Sequence, residues 1–500
     1  MKKILMLALS LSYVPYALAS SNVIELKTLS TLQIGKGEGY SEIIKYNPLT
    51  QKAYLTASKK KSIIVINLSR PKNPIIEYEL DLTKGAIKSG NITSVATSNK
   101  YVAASISSGI AGINGEVQIF DLNGNFIKSF EVGDLPDSLD FSNNGRYIVV
   151  ANEGEPSNDY TTNSEGSVSI IDLKAGIKNA STTTLKIQGP APKGTHSPNP
   201  RATFSENAEP EYVAITKDNK YAFVSLQEVN AIAKINLETK IIETIHGLGF
   251  KDVSTIAHDY SDKDDGINWN KFPVKMMYQP DTISTISIND TNYIISANEG
   301  DSQDYKGYSE ETRVGKVVLD KVKFPNRDVL QKPTMLGRLK TTTAKGDVDG
   351  DGDIDQIYAY GGRSFSIWDD RGTLIFDSGN DFEKIIAQNS PTYFNANGGP
   401  KKVDERSDDK GPEPEAITTG TIDNRHYAFI GMERNNAIFT YDITEPSKSK
   451  IVSYKAPLKD HNSIESLIFI PADKSPNGKN ILIGAYELSG SIVIFEVGKY

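Results

Sequence analysis

The sequence contains no cysteine, so the chain can form neither a disulfide bond nor a cysteine-linked lipid anchor. Its five histidines are widely spaced, and we therefore expect no zinc or copper site built on histidine. Beyond residue 19, no apolar run approaches the roughly 18 residues that a membrane span needs. These absences leave packing, and metal ions held by oxygen ligands, to stabilise the fold.

Familiar catalytic motifs are also missing. The sequence has no G-x-S-x-G, no H-E-x-x-H and no G-x-x-x-x-G-K-[ST], so hydrolase triads, zincin sites and P-loop chemistry lack their usual marks. The chain carries 63 acidic and 55 basic residues, a formal net charge of -8. Nucleic-acid partners favour a basic face, so we expect no nucleic-acid binding and consider a cation the better ligand.

The N-terminus has the pattern of a bacterial secretory signal peptide. Lys2 and Lys3 precede a short apolar run at 4–9, and an A-x-A cleavage motif occupies 17–19. A retained membrane anchor is the weaker interpretation, because Tyr13, Pro15 and Tyr16 interrupt the run. We predict a signal peptide over 1–19, one domain over 20–500 and a periplasmic or secreted protein. The chain ends soon after its last predicted strand, so we also expect no C-terminal anchor.

Internal repeats dominate the remaining chain. Each unit starts at a turn, often a proline followed by an acid, and contains several short β-branched strands; clear units start near 136, 209, 280, 413 and 464, with weaker ones at 41–68, 92–122 and 355–376. Such units cannot bury their faces alone and must stack on neighbours. The sequence predicts an all-β fold, a single β-propeller with long inter-strand loops. The count favours eight blades; seven blades with one divergent spacer is the alternative.

One short acidic segment has the spacing of a calcium loop. It runs D-x-D-x-D-G-x-x-D and contains Asp347, Asp349, Asp351, Asp353 and Asp355. Alternating carboxylates with glycine at the turn can wrap a hard cation that prefers six to eight oxygen ligands. The alternative is an acidic surface turn, in which these aspartates would repel one another. We predict bound Ca²⁺ here.

A second acidic segment precedes Gly266. It holds four aspartates within seven residues: Asp259, Asp262, Asp264 and Asp265. A solvated acidic loop explains this segment at least as well as a metal site does.

The repeats place acidic residues at equivalent positions. Glutamates close to the end of the second strand recur in five units, and three units carry a further acid in the first strand. Equivalent positions in a propeller form a ring about its axis, so these acids should converge. The predicted axial ring contains Glu211, Glu228, Asp281, Glu415, Glu433 and Glu487.

Two related acidic loops begin at Glu153 and Glu299, which we treat as candidate catalytic residues. Crowded carboxylates need a metal ion or arginine nearby, and Arg313, Arg363 and Arg406 are the candidate anion-binding partners. Two interpretations stay open. The acids form a binding site, or they form ion pairs between blades that only close the ring.

Several long segments resemble the choice-of-anchor I family: VVANEGEPSNDY, AEPEYVAI, YQPDTI, GDVDGDGDIDQIYAYGGRSFSIWD, RSDDKGPEPEAI and YAFIGMERNNAIFTYDI. That family is similar to mesenchyme-specific cell-surface glycoproteins, and its members are often labelled alkaline-phosphatase-like. The resemblance implies a secreted or periplasmic propeller with calcium affinity and a phosphomonoesterase activity. No serine nucleophile or paired-zinc ligand set is recognisable, so hydrolysis would need a calcium-assisted route.

Two functional hypotheses follow. The first is a calcium-dependent phosphomonoesterase in which the axial acids hold the metal and arginine binds a small phosphorylated molecule. The second is a non-catalytic surface or periplasmic protein that binds mineral, glycan or a protein partner. In either case we expect a monomer.

Overall fold

The computed structural model describes residues 23–88 and 90–499. The predicted signal peptide lies outside these residues. The first described strand, β1 (Glu25–Gln33), pairs antiparallel with the last strand of the chain. Between these two, the chain forms one sheet after another, and the prediction of a mostly β protein is confirmed.

The strands of the described residues assemble into seven four-stranded antiparallel sheets. Sheets 1 to 3 contain β2 (Ile44–Asn47), β3 (Lys52–Ala57), β4 (Ser62–Asn67) and β5 (Ile75–Leu80); β6 (Asn91–Thr97), β7 (Tyr101–Ser107), β8 (Asn114–Asp121) and β9 (Phe126–Asp134); and β10 (Pro136–Phe141), β11 (Tyr147–Asn152), β12 (Ser167–Asp172) and β13 (Ser181–Lys186). Sheet 4 contains β14 (Pro210–Ile215), β15 (Tyr221–Leu226), β16 (Ala231–Asn236) and β17 (Ile241–Gly247).

Two segments of the chain, 248–282 and 299–363, form an insertion beside sheet 5, and the second segment separates the two halves of that sheet. The insertion includes the three-stranded sheet of β18 (Phe250–Asp252), β19 (Val274–Met277) and β26 (Ile357–Ala359), in which β19 and β26 run parallel. Sheet 5 itself contains β20 (Ile283–Ile288), β21 (Thr291–Asn298), β27 (Ser364–Asp369) and β28 (Leu374–Asp377). Two short ladders also lie in the insertion: β22 (Asp304–Tyr305) with β23 (Tyr308–Ser309), and β24 (Glu311–Arg313) with β25 (Lys340–Thr342).

The last two sheets complete the fold. Sheet 6 contains β29 (Pro414–Ile422), β30 (Arg425–Met432), β31 (Ile438–Asp442) and β32 (Lys450–Lys455). Sheet 7 contains β33 (Ile464–Ile470), β34 (Asn480–Tyr486), β35 (Ser491–Gly498) and β1. The α-helices are α1 (Arg327–Leu330) and α2 (Asp381–Asn389); short 3₁₀ helices cover Ser58–Lys60, Leu82–Lys84, Ile177–Asn179, Val314–Lys316, Pro391–Tyr393, Pro400–Lys402 and Pro446–Lys448. None of the helices described is long and apolar enough to cross a membrane.

The seven sheets form a closed, β-propeller-like ring. Each sheet packs on the next through its own apolar core; Val150 and Ile119 join sheets 3 and 2, for example, and Ile483 and Leu55 join sheets 7 and 1. The first strands of neighbouring sheets contact one another around the whole ring. The central strands are apolar on both faces because both faces are covered, as in β4, where Ile63–Ile66 are fully buried.

The structure differs from the count of eight repeat units. The sequence predicts a separate unit near 355–376, yet the strands β27 and β28 of this segment complete the sheet that β20 and β21 begin. Its remaining strand, β26, belongs to the insertion. The insertion has a separate core that includes Leu319, Leu336 and Ile357, while pairing between β21 and β27 joins the two halves of sheet 5.

Candidate metal centre on the axis

The innermost strands surround a cavity of about 280 Å³ that is lined by carboxylates. The acids lie at, or just before, the start of the first strand of six sheets, and sheet 2 supplies Thr93 at this position. We call these acids the first tier: Glu42, Asp137, Glu211, Asp281, Glu415 and Glu465. Three of them, Glu211, Asp281 and Glu415, belong to the ring predicted from the sequence.

Two backbone features turn these residues towards the cavity. In sheets 2, 3, 4, 6 and 7 the pairing register of the first strand shifts at this point. Such β-bulges redirect a side chain and occur often beside functional sites. Two residues before the acid, φ lies between 36° and 64° at Leu135, Glu209, Gln279, Glu413 and Ser463. A non-glycine residue in this region costs about 1–3 kcal/mol, so the fold sustains strain at each of these turns.

A second tier of acids comes from the ends of the second strands. Its members are Glu153, Glu228, Glu299, Glu433 and Glu487. In an antiparallel pair the end of the second strand lies beside the start of the first, which brings the two tiers together. The backbone N–H groups of Glu153, Glu433 and Glu487 donate to the carbonyls of Leu135, Glu413 and Ser463 at 2.8–2.9 Å. The same hydrogen bond thus fixes the second tier in three sheets.

Sheets 3 and 4 form the first triad: Asp137, Glu153 and Glu211. One carboxylate oxygen from each lies within 4.8 Å of the others. Among the described residues, these carboxylates have no ion-pair partner and accept no hydrogen bond. Burial and the neighbouring acids raise the pKa of Asp137 to about 7 and raise the pKa values of Glu153 and Glu211 well above the usual range.

More acids surround the first triad. Within residues 23–88 and 90–499, the side chain of Glu209 accepts a hydrogen bond only from the neutral amide of Gln303. Glu228 is 4% exposed, and its Oε2 atom has no partner in the described part of the chain. Burial and the neighbouring acids, Glu209 first among them, raise the pKa of Glu228 well above its usual range. This side of the axis therefore gathers carboxyl groups that form no ion pair with a basic side chain of the described residues.

Sheets 5 and 6 form an equivalent second triad: Asp281, Glu299 and Glu415, again with oxygens within 4.8 Å. Here one of the three acids, Glu299, has a basic partner. The ammonium of Lys410 lies 2.8 Å from Glu299 Oε1 and 3.6 Å from Glu413 Oε2. Burial opposes the charged form of Lys410, but Glu299, Glu413 and Asp301 outweigh it and raise its pKa.

Glu413, beside the second triad, is enclosed by cations. Arg406 Nε lies 2.5 Å from its Oε1, and Arg434 Nε lies 3.0 Å from its Oε2. Burial would raise the pKa of Glu413, but Lys410, Arg406 and Arg434 together lower it to about 2. In this half of the axis the acids form ion pairs with basic side chains, whereas no member of the first triad forms one within the described residues.

The three arginines selected from the sequence do not converge on the cavity. Arg363 is 1% exposed and donates to the carbonyls of Asp259, Ser407 and Asp409 and to Glu383. Arg313, in the insertion, pairs at 2.5 Å with Asp408 of the segment before β29. Arg406 joins Glu413 to Asp409. Their guanidinium groups are engaged with protein acceptors, and none is positioned to bind an anion at the first triad.

The predicted calcium loop lies between β25 and β26, in the insertion and away from the axis. Asp347, Asp349 and Asp351 bring carboxylate oxygens within 4.8 Å of one another, and all three are exposed. Asp347 also accepts the backbone N–H groups of Gly350 and Gly352, at 2.6 and 3.0 Å. The charges of Asp351 and Asp355 raise the pKa of Asp349. Partial loss of solvation and the charge of Asp351 raise the pKa of Asp353. Asp355 closes the loop by accepting the N–H of Val348.

The acidic segment before Gly266 divides in two. Asp262 forms a bidentate pair with Arg338 at 2.8 and 3.0 Å. Asp259 and Asp264 instead meet Asp404, with oxygens within 4.8 Å. Burial raises the pKa of Asp259 to about 8, although two backbone N–H groups donate to its carboxylate.

Sequence reasoning missed four residues of the centre: Glu42, Asp137, Glu465 and Lys410. Asp137 follows Pro136 just as Glu211 follows Pro210, so aligning the starts of the units would have found it. Glu42 and Glu465 lack that proline and have weaker signals. Lys410 reaches the axis from the loop before β29, and no repeat position marks it.

Solved structures with a similar fold have very different sequences. A structure of U3-55K matches with a TM-score of 0.50 and 10% identity, covering 94% of this chain and all of that one. The β-propeller domain of Cps50 (Swd1) from Myceliophteria thermophila also matches, with a TM-score of 0.48 and 10% identity over 95% of this chain and all of that one. At 10% identity the likeness to U3-55K concerns the fold alone.

Two animal proteins are related in sequence. Gigasin-3a of Magallana gigas is 29% identical over 190 residues, which are 34% of this chain and 66% of that protein. The mesenchyme-specific cell surface glycoprotein of Strongylocentrotus purpuratus is 26% identical over 337 residues, 59% of this chain and 41% of that protein. The chain thus spans less than two thirds of the length of either relative. Residues 42–446 match the choice-of-anchor I domain, and the chain belongs to that family.

Proposed function

We propose that this chain is a seven-bladed, exported β-propeller that binds Ca²⁺ on its axis and acts as a non-catalytic binding protein in the periplasm or outside the cell. The observation that carries the proposal is the first triad, where three converging carboxylates lack any basic partner among the described residues. Export is supported by the N-terminal sequence pattern and by likeness to a protein described as a cell surface glycoprotein.

The chemistry of the first triad suits calcium. All of its donors are carboxylate oxygens, which hard cations prefer. Calcium–oxygen bonds of 2.3–2.6 Å place ligands on opposite sides of the ion about 4.6–5.2 Å apart. The three oxygens, within 4.8 Å of one another, can therefore share one ion without a large movement of the backbone. The loop at 347–355 supplies a second, independent calcium site.

The binding role is favoured over a phosphomonoesterase because of the arginines. Phosphate transfer needs a group that stabilises charge on the phosphoryl oxygens, and Arg313, Arg363 and Arg406 were the candidates. All three are bound to carboxylates or carbonyls. In this proposal Glu153 is a metal ligand and Glu299 is the ion-pair partner of Lys410. Neither acts as a catalytic residue.

Calorimetric titration of the EDTA-treated chain with Ca²⁺ tests the proposal. We expect two classes of site, one lost in Asp137→Asn/Glu211→Gln and the other lost in Asp349→Asn/Asp351→Asn. Each pair leaves the other class intact, so each serves as the control for the other. Equal binding by the chain and the axial variant would refute an axial site.

A phosphatase assay tests the non-catalytic part of the proposal. The chain is incubated with a chromogenic phosphomonoester at neutral and alkaline pH, with and without Ca²⁺. We expect no turnover. Calcium-dependent turnover that the Glu153→Gln variant lacks would instead support the phosphomonoesterase hypothesis.

A further inference from the structure

The two triads on the axis are built identically. Each takes one acid from the first strand of a sheet, one from the end of its second strand, and one from the first strand of the next sheet. Asp137, Glu153 and Glu211 therefore correspond to Asp281, Glu299 and Glu415, residue by residue. Equivalent geometry would give both triads the same affinity for a divalent cation if their surroundings were equal.

Their surroundings differ in charge. The residue two before the last acid is glutamate in both triads, Glu209 in one and Glu413 in the other. Glu413 contacts Arg406, Arg434 and Lys410, whereas Glu209 contacts the uncharged amide of Gln303.

Lys410 is the decisive difference at the triads themselves. Its ammonium lies 2.8 Å from Glu299 and 3.9 Å from Asp301, and it also donates to the carbonyl of Gly300. No lysine or arginine of the described chain forms an ion pair with a member of the first triad. A second observation concerns Glu228, which lies beside the first triad. Its side chain is more than nine-tenths buried, and its Oε2 atom has no hydrogen-bond partner among the described residues. A buried oxygen without a donor indicates a missing positive partner on this side.

Resting on the proposed function, we infer that Lys410 is a tethered cation that occupies the second triad, so that the axis takes one divalent ion, at Asp137, Glu153 and Glu211. Within the second triad Lys410 pairs with Glu299, so its ammonium group and a metal ion would compete for that carboxylate. The first triad is therefore the metal site, and the second is its internally neutralised counterpart.

The chain offers a matched pair of variants to test this inference. In the Asp349→Asn/Asp351→Asn background, Glu211→Gln and Glu415→Gln remove equivalent carboxylates from the two triads. Titration with Ca²⁺ measures stoichiometry and affinity. Titration with Tb³⁺ measures them by luminescence that is excited through tyrosine, since Tyr212 lines the cavity. We expect Glu211→Gln to weaken axial binding roughly tenfold or more, since a ligand charge is lost, and Glu415→Gln to leave it within about twofold.

Replacing the lysine tests the other half of the inference. Lys410→Met should raise the axial stoichiometry from one ion to two, whereas Lys410→Arg, which keeps the charge, should leave it at one. If Lys410→Met does not fold, Glu211→Gln, Glu415→Gln and Lys410→Arg still test the inference. If axial binding is lost in Glu415→Gln and retained in Glu211→Gln, the inference about Lys410 is wrong, while the proposed binding of Ca²⁺ on the axis still stands. No axial binding in the background protein would overturn the proposed function itself.

Discussion

Arg363 shows how a side chain with the chemistry of an anion ligand can serve the fold. It is fully buried, and its donors join the insertion, through Asp259, to the segment before β29, through Ser407 and Asp409. Glu383 on α2 supplies the countercharge at 2.9 Å and also bonds to His258. Burial alone would raise the pKa of Glu383, but His258 and Arg363 lower it to about 2, so the pair is ionised at neutral pH.

Removing the countercharge should be costly. In Glu383→Gln the guanidinium of Arg363 stays buried without its ion-pair partner, and we expect a loss of about 3–5 kcal/mol in the free energy of unfolding. Urea denaturation measures it. Arg371→Gln is the control, because Arg371 pairs with Asp369 while its side chain is 81% exposed, and such surface pairs contribute about 0–1 kcal/mol. Similar losses in both variants would contradict a structural role for Arg363.

Residue types and repeat spacing predict part of the centre but not the pairing of charges. The acids of both tiers recur at fixed positions in successive units, which is why Glu153, Glu211 and Glu415 could be selected from the sequence. The partners of Arg363 come from residues 259, 383, 407 and 409, and no local pattern connects such distant segments. Which carboxylate finds a cation depends on the path of the loops that carry Lys410 and Arg406.

At the scale of the strands, the repeat units can be recognised from the sequence, but the number of sheets that they form cannot. Strand composition, turns and the proline–acid start of a unit are local signals, and they place most first and second strands. Sheet membership is not local. Between β21 and β27 the chain runs through residues 299–363 of the insertion, whose strand β26 reads like the start of another unit. Only pairing between β21 and β27 shows that the two halves form one sheet.

Closure of the ring depends on β1, which pairs with β35 along most of its length. Leu26 on β1 is 3% exposed and packs in the core between sheets 6 and 7. We expect Leu26→Ala to lower the free energy of unfolding by about 2–5 kcal/mol, as for other buried leucines. In the control Ile75→Ala, the side chain is 57% exposed on an outer strand, and we expect a change within about 0.5 kcal/mol. Equal effects in urea denaturation would mean that β1 contributes little to closure.

At the scale of the whole molecule, the axis concentrates acids that the fold holds in a poorly solvated cavity. Burial, with the nearby acids, raises the pKa of Asp137 to about 7 and that of Asp281 to about 6. In the unfolded chain aspartate side chains have a pKa of about 4. The folded chain without metal therefore binds more protons than the unfolded chain between these values. Stability must then fall as the pH rises through this range.

The resulting prediction separates the metal-free from the metal-bound protein. In EDTA, the melting temperature should fall as the pH is raised from 5 to 8, because ionising the axial acids costs more in the folded chain. Glu383 and Glu413, with pKa values near 2, stay ionised throughout and do not contribute to this slope. Saturating Ca²⁺ stabilises the ionised first triad, so it should flatten the slope and raise the melting temperature most at pH 8. Differential scanning calorimetry measures both curves, and Asp137→Asn/Glu211→Gln should show a shallower slope in EDTA and a smaller response to Ca²⁺. A melting temperature in EDTA that rises across this range would contradict a dominant contribution of the axial carboxylates to the pH dependence of stability.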